Sequence, residues 1–212
     1  IRQPDFARRL RVKVILASAS SSRTTLLQQA GIPHEVEISG VDEESEQFSV
    51  LSPSAMVVAL AESKAQAVAA AHTGENVLVI GADSTLEFEG AAMAKPELPE
   101  VALAWWKRYV GKKGLLHTGQ AVIDVAESKI ASSLSTTEIT FANISEEEMR
   151  AYIDTKEPLF LAGGASLDGI GAPYIAHING DATGVLGLSM NHLRALCEEL
   201  GFPWRTLRMS AQ

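Results

Sequence analysis

The sequence predicts a mixed α/β protein, and three observations support this fold class. Short apolar runs rich in β-branched residues, typical of buried strands, alternate with helical patterns that begin at capping residues. Strand-turn-strand passages indicate antiparallel pairs, so we expect a mixed sheet rather than a purely parallel one. No linker, repeat or low-complexity tract divides the 212 residues, which predicts a single domain over residues 1–212 and allows a cleft between two lobes.

The first half of the chain alternates strand and helix signals. A serine-rich turn, Ser18–Ser22, separates the first strand from the first helix, and Ser52 with Pro53 caps the second helix. Glu89–Gly90 supplies a hairpin turn. The predicted elements are, in order, a strand over 12–17, a helix that ends before Gly31, a helix from Pro53 towards Gly74, a strand over 77–80 and a hairpin that begins at 86–88.

The second half adds two long strands and three helices. Ser145 and Glu148 have the spacing of a capping box, which satisfies two amides at a helix start. A glycine-rich loop over 162–171 precedes the last strand. The predicted elements are, in order, a helix over 99–109, strands over 116–125 and 130–141, a helix from Ser145, a strand over 173–178 and a helix over 189–200.

Composition and charge exclude several classes of protein. The formal net charge is -8 and the sequence pI is about 5.2, which argues against binding to a nucleic acid polymer or an anionic membrane. Cys197 is the single cysteine, so the chain cannot form an internal disulfide or a cysteine-based zinc site. No apolar run reaches the roughly 20 residues that span a bilayer, and the N-terminus lacks the apolar segment of a signal peptide. We therefore expect a cytoplasmic protein.

The turn from Ser18 to Arg23 is the first candidate for a binding site. Amides at a helix N-terminus carry partial positive charge, and serine hydroxyls add donors, so such a turn can hold a phosphate. Arg23 in the first helical turn is unfavourable for the helix dipole unless an anion lies there. A serine-rich cap with a solvated arginine explains the segment equally well. No Walker loop and no dinucleotide fingerprint follows the first strand.

Carboxylates and lysines supply the second group of candidates. Asp83 is predicted at the carboxyl end of a strand, where it could bind a divalent cation or take a proton from water, or simply cap a turn. The acidic run 42–44 could provide metal ligands or form a solvated face. Lys64 lies among apolar helical positions, and Lys95 lies in an extended segment before a proline. Neither lysine is informative alone.

Taken together and in order, these segments resemble the Maf (septum formation inhibitor) family of nucleotide pyrophosphatases. The resemblance extends over about residues 12 to 201. The motifs that carry it are Leu16–Ser20 with Arg23, Val41–Glu44, Ala61–Ala65, Ile80–Ser84, Ala94–Pro96, His117–Gly119, Ala162–Gly169, Ile178–Asp181 and Val185–Leu188.

This resemblance implies a cytoplasmic house-cleaning enzyme that splits a nucleoside triphosphate into the monophosphate and pyrophosphate with a divalent metal, Mg²⁺ or Mn²⁺. The implied fold is the elongated mixed-sheet Maf fold, similar to that of inosine triphosphatase-like proteins, with the site in a cleft between two lobes. The implied roles are phosphate binding by Ser18, Ser20 and Arg23, triphosphate contacts by Lys64 and Lys95, metal and water binding by Glu43, and catalysis with metal binding by Asp83.

Four departures from the common family pattern concern substrate selection. Ser22 stands where the family usually has an arginine, Ser84 where threonine is frequent, and Asp168 where members that act on thymidine and uridine triphosphates have glutamine; Phe160–Leu161 replace a charged pair. An ionised aspartate only accepts hydrogen bonds, so Asp168 would disfavour the carbonyl oxygens of uracil and thymine. Alternatively, Asp168 caps a loop amide and never meets the base.

Two other activities use the same residues. A nucleotide-binding regulator of cell division with little turnover would need the cations but not the acids, and the presence of both favours the enzyme. A γ-phosphatase that releases a diphosphate would differ only in its product. The sequence leaves a homodimer open and does not identify the preferred base or metal.

Overall fold

The computed structural model describes residues 11–208, and residues 1–10 and 209–212 lie outside the described part. The predictions about the N-terminus, and the ends of the predicted 1–212 domain, therefore fall on residues that are not described. Seven strands form one sheet. They are β1 (Lys13–Leu16), β2 (Glu35–Val36), β3 (Val77–Phe88), β4 (Ala91–Met93), β5 (Lys113–Asp124), β6 (Lys129–Phe141) and β7 (Ile175–Asn179).

Eight α-helices and four short 3₁₀ turns pack around this sheet in the described residues. The helices are α1 (Ser21–Gln29), α2 (Glu46–Ser49), α3 (Pro53–Ala69), α4 (Pro99–Tyr109), α5 (Glu146–Asp154), α6 (Ala182–Val185), α7 (Met190–Glu199) and α8 (Trp204–Leu207). The 3₁₀ turns are Ala70–His72, Glu157–Phe160, Ala162–Gly164 and Ala172–Tyr174.

The strand order β2-β1-β3-β5-β6-β7 confirms the predicted mixed α/β class. β1 runs parallel to β2 and β3, whereas β5, β6 and β7 continue the sheet in antiparallel fashion. β3 and β5 each have 12 residues and β6 has 13. At about 3.3 Å per residue these strands are roughly 40 Å long, which makes the molecule elongated.

The core is divided between the two ends of the long strands. At one end, α1, α7 and α8 cover one face of the sheet, with Leu27, Leu193 and Phe202 buried there, and α3 covers the other face. At the opposite end, an aromatic cluster that contains Trp106 and Phe141 fills the space under α4 and α5. These two packed regions are the predicted lobes, and they meet near the middle of β3.

The cleft between the lobes follows from a gap along the edge of β3. β1 pairs only with Val77–Ile80, and β4 pairs only with Leu86–Phe88. Between these two partners, residues 81–85 of β3 have no neighbouring strand on that side among residues 11–208. Asp83 lies in this gap, so the fold itself places the predicted catalytic carboxylate at the cleft.

One prediction about Asp83 was wrong in detail. The residue does not end the strand that begins at Val77, because β3 continues without a break to Phe88. What ends there is the parallel partner β1, at Leu16. The apolar run in the sequence stops at residue 80, where the pairing with β1 stops, and the residues that follow resemble a strand end.

Most local signals gave the elements that the structure contains. α4 has the predicted bounds, and Ser20, Ser52 and Ser189 cap α1, α3 and α7 with their side chains. Ser145 and Glu148 form the predicted capping box. The short helices α2, α6 and α8 were not predicted, because four residues give no helical periodicity.

Helix α3 lies unusually close to the sheet at two glycines. A Cβ atom on Gly81 would be 2.1 Å from the carbonyl oxygen of Ala61, and one on Gly119 would be 2.3 Å from the backbone of Val57. Gly119 pairs directly with Asp83 across β3 and β5. Any side chain at either glycine would therefore push α3 away from the strand that carries Asp83.

We expect Gly119→Ala to lower the free energy of unfolding by about 2–3 kcal/mol, the range for overpacking a rigid core. Chemical denaturation measures this change. Gly114→Ala on the same strand is the matched control, since its Cβ would meet chiefly the flexible end of Leu86, at 2.9 Å. Its expected cost is about 1 kcal/mol or less, and equal losses in the two variants would contradict the close approach of α3.

Candidate active site

Asp83 and Ser84 place chemistry on both faces of β3 at the gap. Successive residues of a strand point to opposite faces. Asp83 shares the face of Gly81, which α3 covers, and Ser84 points to the opposite face, where it contacts Thr118 of β5. The cleft therefore receives side chains from α3 on one face of the sheet and from α1 on the other.

A buried lysine joins two carboxylates on the α3 face. The Lys64 ammonium nitrogen lies 2.7 Å from Asp83 Oδ1 and 2.7 Å from Glu43 Oε1. The side chain of Lys64 is 7% exposed and that of Asp83 12%, whereas Glu43 is 54% exposed. A buried charge needs a partner, so Lys64 and Asp83 hold each other in the low-dielectric interior while Glu43 closes the group from the solvent side.

Burial raises the pKa of Asp83 above its ordinary value, and the neighbouring carboxylate of Glu43 raises it further. The positive charges of Lys64 and Arg23 act in the opposite direction without cancelling the effect of burial. A carboxylate with a raised pKa is a better proton acceptor than one in water. Asp83 is thus suited to take a proton from a bound water molecule.

Arg23 occupies the other face of the gap and is surrounded by neutral acceptors. Its Nε donates to the carbonyl oxygen of Gly187 at 2.8 Å, its Nη1 to Ser18 Oγ at 2.8 Å and its Nη2 to Ser84 Oγ at 3.3 Å. Burial lowers the pKa of the guanidinium, and the charges of Asp83 and Glu43 oppose this effect. Within the described residues Arg23 has no carboxylate in direct contact, so its charge is available to an anion.

The serine turn adds donors beside Arg23. Ser20 caps α1 and accepts from the amide of Arg23 at 3.5 Å. Ser18 Oγ accepts from Arg23 and from the amide of Ser20. Because these contacts use only the lone pairs of the two oxygens, each serine retains its hydroxyl proton for a ligand. The start of α1 therefore presents hydroxyl donors next to the guanidinium of Arg23.

Ser22 and Asp168 meet across the mouth of the cleft. Ser22 Oγ donates to Asp168 Oδ2 at 3.0 Å, and Ser166 Oγ donates to the other carboxylate oxygen at 2.8 Å. Glu157 anchors the same glycine-rich loop by accepting from the amides of Ile170 and Gly171. The loop thus belongs to one lobe and is linked to α1 of the other through the exposed Asp168.

The glycine-rich loop also closes an apolar concavity on the Ser84 face. Its lining includes Leu86 and Leu116 of the sheet and, from the loop, Ala162, Ala165, Ser166 and Leu167. The remaining lining residues are Ile139, Ile175 and Val185. This apolar surface lies next to the polar cleft.

The predicted residues fall into three contacting groups and one separate residue. Lys95 is exposed beyond β4, and its side chain makes no ion pair or hydrogen bond with the described residues. The groups are Ser18, Ser20, Arg23 and Ser84 on one face, Glu43, Lys64 and Asp83 on the other, and Ser22 with Asp168 at the mouth.

Thr118 was not among the predicted site residues, yet it is fully buried against Ser84 and the turn at Gly184. Thr118 alternates with Leu116 and Gln120 on one face of β5, the sheet face that also bears Ser84 of β3. It is therefore a polar residue at a core position. That pattern is the signal that could have singled it out.

The donor set at Asp83 fits a hydrated divalent cation better than a cage formed by protein alone. Among residues 11–208 no group of three or more His, Cys, Asp or Glu side chains converges on one point. Glu43 and Asp83 do converge, since both carboxylates contact one ammonium group. Mg²⁺ typically binds through one or two carboxylates and completes its shell with water and phosphate oxygens.

Fold and site together define a class: a mixed α/β protein whose interlobe cleft combines buried cations, paired carboxylates and a serine-rich helix start. Sequence comparisons give the family. The family described as Maf-like protein matches residues 13–200, which is most of the chain. The protein belongs to the Maf-like family.

Relatives named nucleoside triphosphate pyrophosphatase match nearly the whole chain. The Streptomyces avermitilis protein is 42% identical over 191 residues, which cover 90% of this chain and 92% of the relative. The Streptomyces coelicolor protein is 43% identical with the same coverage. The Synechococcus elongatus protein is 41% identical over 198 residues, 92% of this chain and 98% of the relative.

A solved HAM1 protein from Coxiella burnetii is a more distant match. It is 13% identical, with a TM-score of 0.39 over 93% of this chain and 94% of that one, which is too slight to support a conclusion. Separately, none of the helices described between residues 11 and 208 has the length and apolar character to cross a membrane.

We expect the titration midpoint of Asp83 to move in opposite directions when its two neighbours are neutralised. Lys64→Met removes a positive charge and should raise the midpoint, whereas Glu43→Gln removes a negative charge and should lower it. The chemical shift of the Asp83 carboxyl carbon, followed by NMR against pH, measures both. Circular dichroism confirms that each variant is folded, and shifts of the same sign would contradict the observed geometry.

Proposed function

We propose that the protein hydrolyses nucleoside triphosphates to the nucleoside monophosphate and pyrophosphate. The observation that carries the proposal is the convergence of Arg23, Lys64, Asp83 and Glu43 at the gap in β3. The names of the relatives support the same activity. A cleft that offers cations for phosphate and a basic carboxylate for water is what splitting a phosphoanhydride requires.

The cations oppose the charge of the triphosphate. A triphosphate carries three to four negative charges, and in a partly dry cleft buried positive groups act more strongly on them than they would in water. Arg23 and the hydroxyls of Ser18 and Ser20 contact phosphate oxygens from one face of β3. Lys64 contributes from the other face, and Lys95 reaches the outer phosphates from the solvent side.

Asp83 prepares the attacking water. Its carboxylate accepts the proton as the water oxygen bonds to phosphorus and the anhydride bond between the α- and β-phosphates breaks. The bonding electrons leave with pyrophosphate, whose new charge the cations stabilise. The reaction requires no covalent bond to the protein. This agrees with the cleft, whose described residues include no activated nucleophile.

We propose Glu43 and Asp83 as the protein ligands of a divalent cation, Mg²⁺ or Mn²⁺. When bound, such a cation polarises phosphate oxygens and lowers the pKa of coordinated water. Lys64 holds the two carboxylates together in its absence, and the flexible stem of a lysine allows the ammonium to turn towards phosphate.

The carboxylates favour turnover over the alternative of a nucleotide-binding regulator of cell division. A site that only binds a triphosphate needs no proton acceptor, whereas hydrolysis needs one for the attacking water. The cysteine content and the acidic charge further support a cytoplasmic enzyme of small-molecule substrates. A homodimer is compatible with this proposal but does not enter it.

Product analysis tests the proposal. The protein is incubated with Mg²⁺ or Mn²⁺ and a panel of canonical and modified nucleoside triphosphates, and the products are separated by ion-exchange chromatography. We expect the monophosphate and pyrophosphate in equal amounts. A diphosphate with orthophosphate would instead indicate a γ-phosphatase, and tight binding without products would indicate the regulator.

The matched control is Asp83→Asn, which keeps the size of the side chain and removes its charge. We expect turnover to fall about a hundredfold or more, the scale of losing a general base, while the fold is retained. Activity close to that of the unaltered protein in a folded Asp83→Asn variant would contradict the role of Asp83.

We further propose that Asp168 helps select the base, because its loop lines the apolar concavity next to the cleft. An ionised carboxylate there disfavours uracil and thymine, which present carbonyl oxygens. Asp168→Gln supplies a donor as well as an acceptor, so its relative kcat/KM should shift towards UTP and dTTP. Steady-state kinetics across the substrate panel measure the shift.

Ser22→Ala separates base selection from attachment of the loop. It breaks the hydrogen bond of Ser22 to Asp168 and leaves the carboxylate in place. If Asp168 only fastens the loop, both variants should change kcat/KM for all bases alike. An unchanged order of substrates in Asp168→Gln would therefore place base selection elsewhere.

A further inference from the structure

A chain of hydrogen bonds leads from Arg23 into the core on the Ser84 face. Arg23 Nη2 lies 3.3 Å from Ser84 Oγ, Ser84 Oγ lies 2.8 Å from Thr118 Oγ1, and Thr118 Oγ1 lies 2.7 Å from the carbonyl oxygen of Gly184. Thr118 is 0% exposed. Its hydroxyl is therefore out of contact with bulk solvent, and its hydrogen-bond partners determine its orientation.

The direction of every bond in this chain follows from the last acceptor. A carbonyl oxygen only accepts, so Thr118 must donate its single proton to Gly184. Ser84 must then donate to Thr118, because Thr118 has no second proton. The lone pairs of Ser84 are consequently left to accept from the guanidinium of Arg23.

The far end of the chain is held firmly. Gly184 lies in the short helix α6, whose start is capped by Asp181: Oδ1 accepts from the amides of Thr183 at 2.9 Å and Gly184 at 3.1 Å. Ser189 donates to the other oxygen of Asp181. Burial raises the pKa of Asp181, but hydrogen bonds from Ser189 and Thr183 outweigh this effect, so the pKa lies below its ordinary value. The cap therefore remains an ionised acceptor.

The direction of these hydrogen bonds determines which donors remain for a ligand. A guanidinium has five N–H groups, and Gly187, Ser18 and Ser84 take one each. Within the described residues, one N–H on each terminal nitrogen is left over. The proton of Ser84 is committed to Thr118, so Ser84 serves Arg23 as an acceptor rather than donating to phosphate.

We propose that Thr118 is a positioning residue for Arg23: by orienting the Ser84 hydroxyl, it holds the guanidinium so that its two remaining N–H groups point at the phosphates of the substrate. The inference rests on the proposed function, since it concerns the anion that Arg23 binds. Without the Thr118 hydroxyl, the hydroxyl proton of Ser84 is free to turn towards Arg23. Two donors, the Ser84 hydroxyl and an N–H group of Arg23, would then face each other.

A double-mutant cycle tests this coupling. Thr118→Val, Arg23→Ala and the double variant are compared with the unaltered protein by calorimetric titration with inorganic pyrophosphate and by kcat/KM for a nucleoside triphosphate. We expect Thr118→Val to weaken binding and kcat/KM about fivefold to tenfold, the range of one net hydrogen bond. In the Arg23→Ala background the same substitution should have almost no further effect.

Two further variants separate positioning from simple loss of stability. Thr118→Ser keeps the hydroxyl and should restore pyrophosphate binding to within about twofold of the unaltered protein. Thr206→Val removes a similarly buried hydroxyl in α8, which donates to the carbonyl oxygen of Pro203 at 2.7 Å and is not part of the chain that ends at Gly184. It should lower Tm without the Arg23-dependent loss of binding, and it shows what destabilisation alone does.

The outcomes distinguish this inference from the proposed function. Additive effects of Thr118→Val and Arg23→Ala, equal binding by Thr118→Val and Thr206→Val, or no pyrophosphate binding at all would overturn the positioning role. If the unaltered protein binds pyrophosphate with the expected coupling but hydrolyses no triphosphate, the proposed function fails and the positioning of Arg23 stands.

Discussion

The site depends on how closely α3 can approach the sheet. Gly81 and Gly119 remove the side chains that would separate them, so the helix backbone rests directly on β3 and β5. At that distance Lys64 contacts Asp83 at 2.7 Å while both side chains are buried. The cost of burying a carboxylate is offset by the ammonium, and the raised pKa of Asp83 shows that the offset is incomplete. That residual imbalance makes the carboxylate more basic than one exposed to water.

The two faces of β3 differ in how they hold charge at the cleft. On the α3 face, charges pair with one another, and Lys64 keeps Asp83 and Glu43 together. On the opposite face, the charge of Arg23 is surrounded by hydroxyl and carbonyl oxygens, which satisfy its donors but do not neutralise it. A chain with a net charge of -8 thereby retains a local positive site, because water and salt, with a Debye length of about 8 Å, screen the exposed acidic groups that lie farther away.

Much of this arrangement could be predicted from local sequence patterns, whereas the surroundings of Asp83 and Lys64 could not. Serine caps and apolar strand runs act within a few residues, so they gave the helices and strands nearly in place. Asp83 was assigned to a strand end because the apolar pattern stops there, although the strand continues. Lys64 was uninformative as a single lysine in an apolar helix, since a lysine in that position usually extends to solvent. Its burial depends on glycines on two other elements.

By itself, the sequence determined the fold class, the order of the elements and the types of residue that face the cleft, since capping, hairpin turns and hydrophobic periodicity are properties of neighbouring residues. Only the tertiary structure decided which residues meet. It brought Ser22 to Asp168 and Arg23 to Gly187, contacts between residues 146 and 164 positions apart. It also gave Thr118 its place, because the direction of a buried hydroxyl depends on acceptors that only the packed fold brings within reach.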